Sequence, residues 1–234
     1  MIRRIQTLDE IVEAVRDIGF LAFVDRRWAG LSVADRSPAS IWTTNDQRLN
    51  PWYWRHRILE AGDICYGMFF ARKLGFISID FFPDFVAVRR GIDDAPALFR
   101  RGMISLEALR LYEAVPPGEA MTLSEAGELA ELAGSPLDRA ARELMDATLW
   151  TTADFVRRRT KSGREYGWPV ARYARAEDAC GDMDFFRSRP FNPAASRRRI
   201  LDAARSHALS PLDGTIERRL LFGAMKPPRD LALR

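Results

Sequence analysis

The sequence predicts a mainly helical α+β fold, and three observations predict it. Two threonine–glutamate pairs, Thr7 with Glu10 and Thr122 with Glu125, stand at capping-box spacing ahead of apolar residues that recur with helical period. From Trp52 to Val88 aromatic and β-branched residues crowd together, as in "FISIDFF", which is the chemistry of a strand over a sizeable core. At 133–138 "AGSPLD" joins two helical patterns with room only for a turn, and two strand-like runs follow.

The elements follow in order. Leu8, Ile11, Val12, Val15 and Ile18 repeat at helical spacing and Gly19 supplies a left-handed stop, so the first helix spans 8–18. "FLAFV" is a strand candidate, and the remainder of 20–50 reads as turn and loop chemistry. Asn50 and Pro51 open a short helix, with the asparagine as cap and the proline preset at the first helical position. "FISIDFF" is a strand that Pro83 ends, and 90–104 is a connector with room for one helical turn.

Ser105 then caps a helix with Leu106, Leu109, Tyr112 and Val115 on one face, which Pro116, Pro117 and Gly118 end. "EAMT" makes a brief strand. Thr122 opens a second helix with Leu123, Ala126, Leu129, Ala130 and Ala133 inward and Gly134 as its stop. Ser135 caps a third, with Pro136 first in the helix and Leu137, Ala141, Leu144, Met145 and Thr148 inward. "LWTTADFVRRR", the turn "TKSG" and "REYGWPVARYA" complete a β-hairpin whose second strand is interrupted at Gly167 and Pro169.

Helix, short strand, helix, turn, helix and hairpin is the layout of a winged helix-turn-helix, placed at 105–175. It packs with an aromatic-rich N-terminal α/β module at 1–100, whose helix and aromatic strands are also compatible with a degenerate second winged helix. A C-terminal helical extension, 176–234, contains a helix capped by Asn192 and Pro193 that packs through Ile200, Leu201, Ala204 and Ala208.

Composition narrows the function. With 47% hydrophobic and 29% charged residues the chain is that of a folded globular protein. It holds no apolar run of the roughly 18 residues that a membrane span needs. "MIRRIQTLDE" leads directly into a helix with no signal-peptide core, which points to the cytoplasm, and to the nucleoid if the protein binds DNA. Cys65 and Cys180 stand far apart, and His56 and His207 are scattered, so neither a disulfide framework nor a metal site is expected. The phosphate-loop, dinucleotide, nucleophile-elbow and zinc-protease signatures are absent, and no cofactor is expected.

The net charge of +4 comes almost wholly from arginine, since Lys73, Lys161 and Lys226 are the only lysines, so the positions of the arginines matter more than their number. Arg157, Arg158, Arg159, Lys161 and Arg164 occupy the hairpin tip and its flanks. Guanidinium groups there suit phosphate oxygens, although an arginine-rich chain also fills a merely solvated turn this way. Arg187, Arg189 and Arg197, Arg198 and Arg199 would extend the strip if the last helix folds back beside the hairpin. Outward on the third helix stand Asp138, Arg139, Arg142, Glu143 and Asp146. Arg139 and Arg142 can reach phosphates, but three acids beside them are poor equipment for reading bases.

Asp80 and Asp84, acids among aromatics, are the candidates for proton-transfer chemistry, against the alternative of solvated acids at a strand end. Trp52, Trp54 and His56 are candidates to line a base pocket, against the alternative that aromatics at helical spacing are core.

The run "NPWYWRHRILEAGDICYGMFFARKLGFISIDFFPDFVAV", with "SLEALRLYEAV" and "GWPVARYARAED", resembles the small bacterial AlkZ-related proteins, which are similar to the AlkZ and YcaQ winged-helix DNA glycosylases. The resemblance spans about residues 45–205 and implies a cytoplasmic winged-helix protein that handles damaged duplex DNA. Glycosylases of that larger family hydrolyse the bond between an alkylated base and its deoxyribose. Their motif of glutamine, any residue, then glutamine or aspartate has no match here, since Gln6 is followed by Thr7 and Leu8 and Gln47 by Arg48 and Leu49. No catalytic residue carries over. Three readings stand: a DNA glycosylase, a non-catalytic DNA-binding or regulatory protein, and a winged helix that binds other proteins.

Overall fold

A computed structural model describes residues 4–160, 162–180 and 192–226. Helix α1 (Leu8–Ile18) carries the expected reciprocal cap: Thr7 Oγ1 accepts from the Glu10 amide and the Glu10 carboxylate accepts from the Thr7 amide. Gly19 ends it at φ +94°, where a Cβ would lie 2.4 Å from the Phe81 ring, so both backbone and packing require glycine. Strand β1 (Phe20–Ala22) follows. Two single-turn helices, α2 (Val33–Arg36) and α3 (Ser40–Thr43), stand where the sequence reads as loop, because one turn is too short to show a period. Asn50 Oδ1 caps α4 (Pro51–Leu59) by accepting from the Trp52 amide at 3.0 Å.

Strands β2 (Ile64–Phe70) and β3 (Lys73–Ser78) form a hairpin whose two turn residues, Ala71 and Arg72, both have positive φ, as a tight two-residue turn needs. The expected strand through "FISIDFF" stops at Ser78. Phe82 instead opens α5 (Phe82–Arg89), since the fixed φ of Pro83 suits the first turn of a helix. The connector holds α6 (Ala95–Arg100).

The next six elements run in the expected order: α7 (Leu106–Ala114), β4 (Met121–Thr122), α8 (Leu123–Leu129), α9 (Gly134–Asp146), β5 (Trp150–Arg159) and β6 (Glu165–Arg175). Two details differ. The buried face of α7 is Ala108 and Leu111, with Leu106 exposed. Ala133 rather than Ser135 stands at the cap position of α9, and Gly134 opens that helix instead of closing α8. Short α10 (Ala176–Ala179), α11 (Pro193–His207) and α12 (Gly214–Phe222) complete the chain.

All six strands join in one antiparallel sheet, in the order β1-β3-β2-β5-β6-β4. The succession helix, strand, helices, strand, strand thus occurs twice, and in each set the first strand pairs with the last. The two sets meet at β2 and β5, through Tyr66 opposite Thr152 and a 3.0 Å bond from Thr151 Oγ1 to the Tyr66 carbonyl. One hydrophobic core gathers the N-terminal elements with α11 and α12, and another gathers α6 to α9 with Trp150. The fold is therefore α+β, with helices and an antiparallel sheet.

Two long-range contacts hold these parts together. Arg89, fully buried on α5, donates to the carbonyls of Phe69, Asp146, Leu220 and Leu221 at 2.7–3.1 Å, so one guanidinium closes the ends of α9, α12 and β2. Burial lowers its pKa to about 10, which leaves it charged at neutral pH. Cys65 on β2 and Cys180 after α10, expected to stand apart, are paired across 115 residues with their Cα atoms 5.8 Å from each other. The β2–β5 junction brings them together, and spacing along the chain carries no sign of it. Among the described residues no helix is long and apolar enough to cross a membrane, and none of the His, Cys, Asp and Glu side chains cluster as a metal site.

Candidate nucleic-acid interface

The β5–β6 hairpin is built locally by Thr160, whose amide donates to the Arg164 carbonyl and whose Oγ1 accepts from the Arg164 amide at 3.1 Å. Gly163 turns the chain at φ +82°. Arg157, Arg158 and Arg164 are exposed on it, and Arg157 stands 3.8 Å from Glu165. Arg159 pairs in register with Glu165, and Lys161 lies outside the described residues.

Towards the base of the hairpin the pairing slips. Val156 faces Val170 and Arg158 faces Tyr166, so Arg157 opposes three residues, Gly167, Trp168 and Pro169. With Gly167 at φ +72° this is a bulge, and it turns Trp168 outward to 58% exposure. The Trp168 ring rests against Tyr53 of α4, with centroids 5.0 Å apart and planes tilted by 33°.

Beneath that pair lies a pocket of about 380 Å³ between α4 and the hairpin, lined by Gln47, Trp52, Tyr53, Arg55, His56, Phe155, Arg157 and the bulge. The Arg55 guanidinium sits 4.7 Å from the Trp52 ring centroid and 5.8 Å from that of Phe155, with its Nε donating to the Trp52 carbonyl. His56 meets the edge of Phe155, and burial holds its imidazole below the ordinary value, neutral at pH 7. An aromatic wall with one guanidinium inside and another at the rim suits a flat, polar-edged ring attached to an anion. Of the three aromatic candidates read from sequence, the structure brings Trp52 and His56 into this pocket. Trp54 instead is core, its Nε1 donating to the Arg48 carbonyl at 2.9 Å.

On α9, Asp138 and Arg139 are exposed and Arg142 and Glu143 half-buried, as the outward face requires. Arg139 lies 3.8 Å from Glu107 and 3.9 Å from Glu143, and Arg142 lies 3.9 Å from Asp138. Asp146 is the exception. Read as outward from the helical period, it is only 4% exposed, because the chain after α12 closes over it.

The family model described as AlkZ related matches residues 5–220. The chain belongs to that family. No curated protein and no solved structure matches.

The matched span of this AlkZ-related chain also contains the remaining candidates. Asp84 accepts from Ser196 Oγ at 2.7 Å and pairs with Arg199, whose guanidinium lies 4.2 Å from the Phe81 ring centroid and donates to the Asp80 carbonyl. These contacts bolt α5 to α11. Helix α11 docks on α5, α1 and α12. Arg198 is exposed there, Arg197 is half-buried, and Arg187 and Arg189 lie outside the described residues.

Sequence reasoning missed Gln47, Tyr53, Arg55, Phe155 and Trp168 as pocket residues. One signal was available for Trp168: an aromatic between Gly167 and Pro169 in an otherwise regular strand marks a bulge that re-aims it.

Proposed function

We propose that this AlkZ-related protein binds duplex DNA through a winged helix at 105–175 and takes one unstacked, damaged base into the α4–hairpin pocket. The order α7-β4-α8-α9-β5-β6, with β4 paired to β6, supports the winged helix and makes the β5–β6 hairpin its wing. The same order in α1-β1-α4-β2-β3, with β1 paired to β3, supports a second, degenerate winged helix inside a 1–100 module, and 176–234 is read as an extension of both.

The observation that carries the reading is the bulge. It sets Trp168 on Tyr53 at the mouth of a base-sized pocket, on the same hairpin that carries Arg157, Arg158 and Arg164. Exposing a large aromatic is unfavourable in water, and stacking on a base recovers about 1–3 kcal/mol. Exposed guanidiniums beside it supply phosphate contacts.

Base excision rests on the family relationship. Within the pocket Gln47, neutral His56 and the Tyr53 hydroxyl are described polar groups besides arginine that could orient water on a sugar–base bond. The test is incubation with a duplex carrying one N7-methylguanine, scored by chromatography for released base and by anisotropy for binding. Release identifies a glycosylase and directs substitution to Gln47 and His56. Lesion-preferring binding without release identifies a non-catalytic reader, and binding of neither lesion nor plain duplex refutes the DNA reading.

A further inference from the structure

A second concavity lies away from the hairpin. Its volume is about 1120 Å³, and it runs between α9 and the β2–β3 turn, floored by the chain that follows α12. Five cations line it: Arg72 from the turn, Arg101 after α6, Arg139 and Arg142 from α9, and Lys226. Arg101 is paired with Asp93, whereas among the described residues Arg72 and Lys226 make no ion pair. The two acids in the lining are occupied differently. Glu143 accepts from the Ser105 amide at 2.8 Å, and Asp146 accepts from the Ala224 amide at 3.2 Å. Gly223 lets the chain pass over Asp146, since a Cβ there would lie 2.2 Å from its Oδ1.

The position of this cleft follows from the repeated element order. The first pocket stands between α4 of one set and the β5–β6 hairpin of the other. The second stands between α9 of the later set and the β2–β3 hairpin turn of the earlier one. The two differ in chemistry: the first is aromatic, the second cationic. Its volume is above that of an ordinary small-molecule pocket, which runs to about 1,000 Å³, so it has room for a run of linked groups.

We propose that this cleft is a second phosphate-binding site, in which Arg72, Arg139, Arg142 and Lys226 hold phosphate groups close to the buried Asp146. The phosphates belong either to a DNA backbone, in which case the site rests on the proposed function, or to a free nucleotide. An ionised Asp146 repels the incoming anion, so binding takes up a proton there and tightens as pH falls. The charged groups that face Asp146 are Arg89 from α5, Arg72 from the turn and Glu143 from its own helix, beside the cations of the cleft wall. Burial already raises the Asp146 carboxyl to about 6, which places the proton uptake within reach of mild acid.

The test uses the full chain with three variants: Arg72→Ala/Arg139→Ala/Arg142→Ala in the cleft, Arg157→Ala/Arg158→Ala/Arg164→Ala on the hairpin, and Asp146→Asn. A short labelled duplex is titrated by anisotropy across salt at about pH 5 and about pH 8, and pyrophosphate is titrated by calorimetry. The cleft variant should lower the salt slope by about 2–3, at about 0.9 per phosphate, with the hairpin intact. Wild-type affinity should rise several-fold from the higher pH to the lower. Asp146→Asn should bind at the higher pH as wild type does at the lower, which separates Asp146 from the two histidines. Saturable pyrophosphate binding that the cleft variant loses assigns the site to a nucleotide, and a changed salt slope without it assigns the site to DNA. An unchanged slope together with no pyrophosphate binding overturns the proposal, and hairpin-dependent duplex binding then leaves the proposed function standing. If wild type binds no duplex, the proposed function fails and pyrophosphate alone decides the cleft. A pH dependence that survives in Asp146→Asn overturns the role of Asp146.

Discussion

Replacing Asp146 with asparagine should stabilise this protein at neutral pH. The carboxyl is 4% exposed, keeps one hydrogen bond from the Ala224 amide, and has its pKa raised from 3.8 to about 6, mainly by burial and against the attraction of Arg89. A raised folded value means that the native state binds the proton more tightly than the unfolded chain. Stability from this group is therefore greatest below about pH 4, declines between about 4 and 6, and stays low above. With the carboxyl held at about 6 against 3.8 in the unfolded chain, and about 1.4 kcal/mol for each tenfold change in proton affinity, the ionised group costs on the order of 3 kcal/mol at neutral pH. Asparagine keeps the acceptor for Ala224 and cannot ionise, but its amide protons need a partner, at up to about 1–2 kcal/mol. The net expectation at about pH 7.5 is a gain of about 1–3 kcal/mol, vanishing or reversing near pH 4. Urea unfolding of both proteins at a series of pH values measures it, since acid effects common to both cancel in the difference. A difference that does not vary with pH, or a variant equally destabilised at both ends, would refute the reasoning.

Other substitutions test other links. Arg89→Met leaves four buried carbonyls without their donor and should cost on the order of 3–5 kcal/mol, seen as a large fall in the circular-dichroism melting temperature. Gly19→Ala forces a Cβ onto the Phe81 ring at a left-handed position and should lose at least about 1 kcal/mol in urea unfolding. Trp168→Ala should leave the melting temperature nearly unchanged and weaken binding of a lesion-bearing duplex by about 5- to 150-fold, the worth of one stacked base. Equal loss on undamaged duplex would remove the base-stacking role.

Local physics was legible in the sequence. The caps at Thr7, Asn50, Ser105, Thr122 and Asn192 all form, because a capping side chain and its amide partners lie within three residues of one another. The bulge at Gly167 and Pro169 showed itself as an interrupted strand. What escaped depends on contacts between parts of the chain far apart in sequence. Asp146 reads as outward by helical period, and only the return of the chain after α12 buries it. Arg89 looks like one more surface arginine until the ends of β2, α9 and α12 converge on it. Trp52 and Trp54, two residues apart, lie one at a pocket and one in the core, and the placement of β5 and β6 decides which. Asp84 belongs to the same class, since its pairing with Arg199 joins positions 115 residues apart.

The claim that the hairpin grips phosphate is tested most directly by the salt dependence of duplex binding, compared between wild type and Arg157→Ala/Arg158→Ala/Arg164→Ala. Each lost phosphate contact should reduce the slope of log K against log salt by about 0.9, so the account predicts a slope shallower by about 2–3 and a nearly uniform loss of affinity across sequences. A wild type that binds duplex with the same slope and affinity as the variant would contradict it.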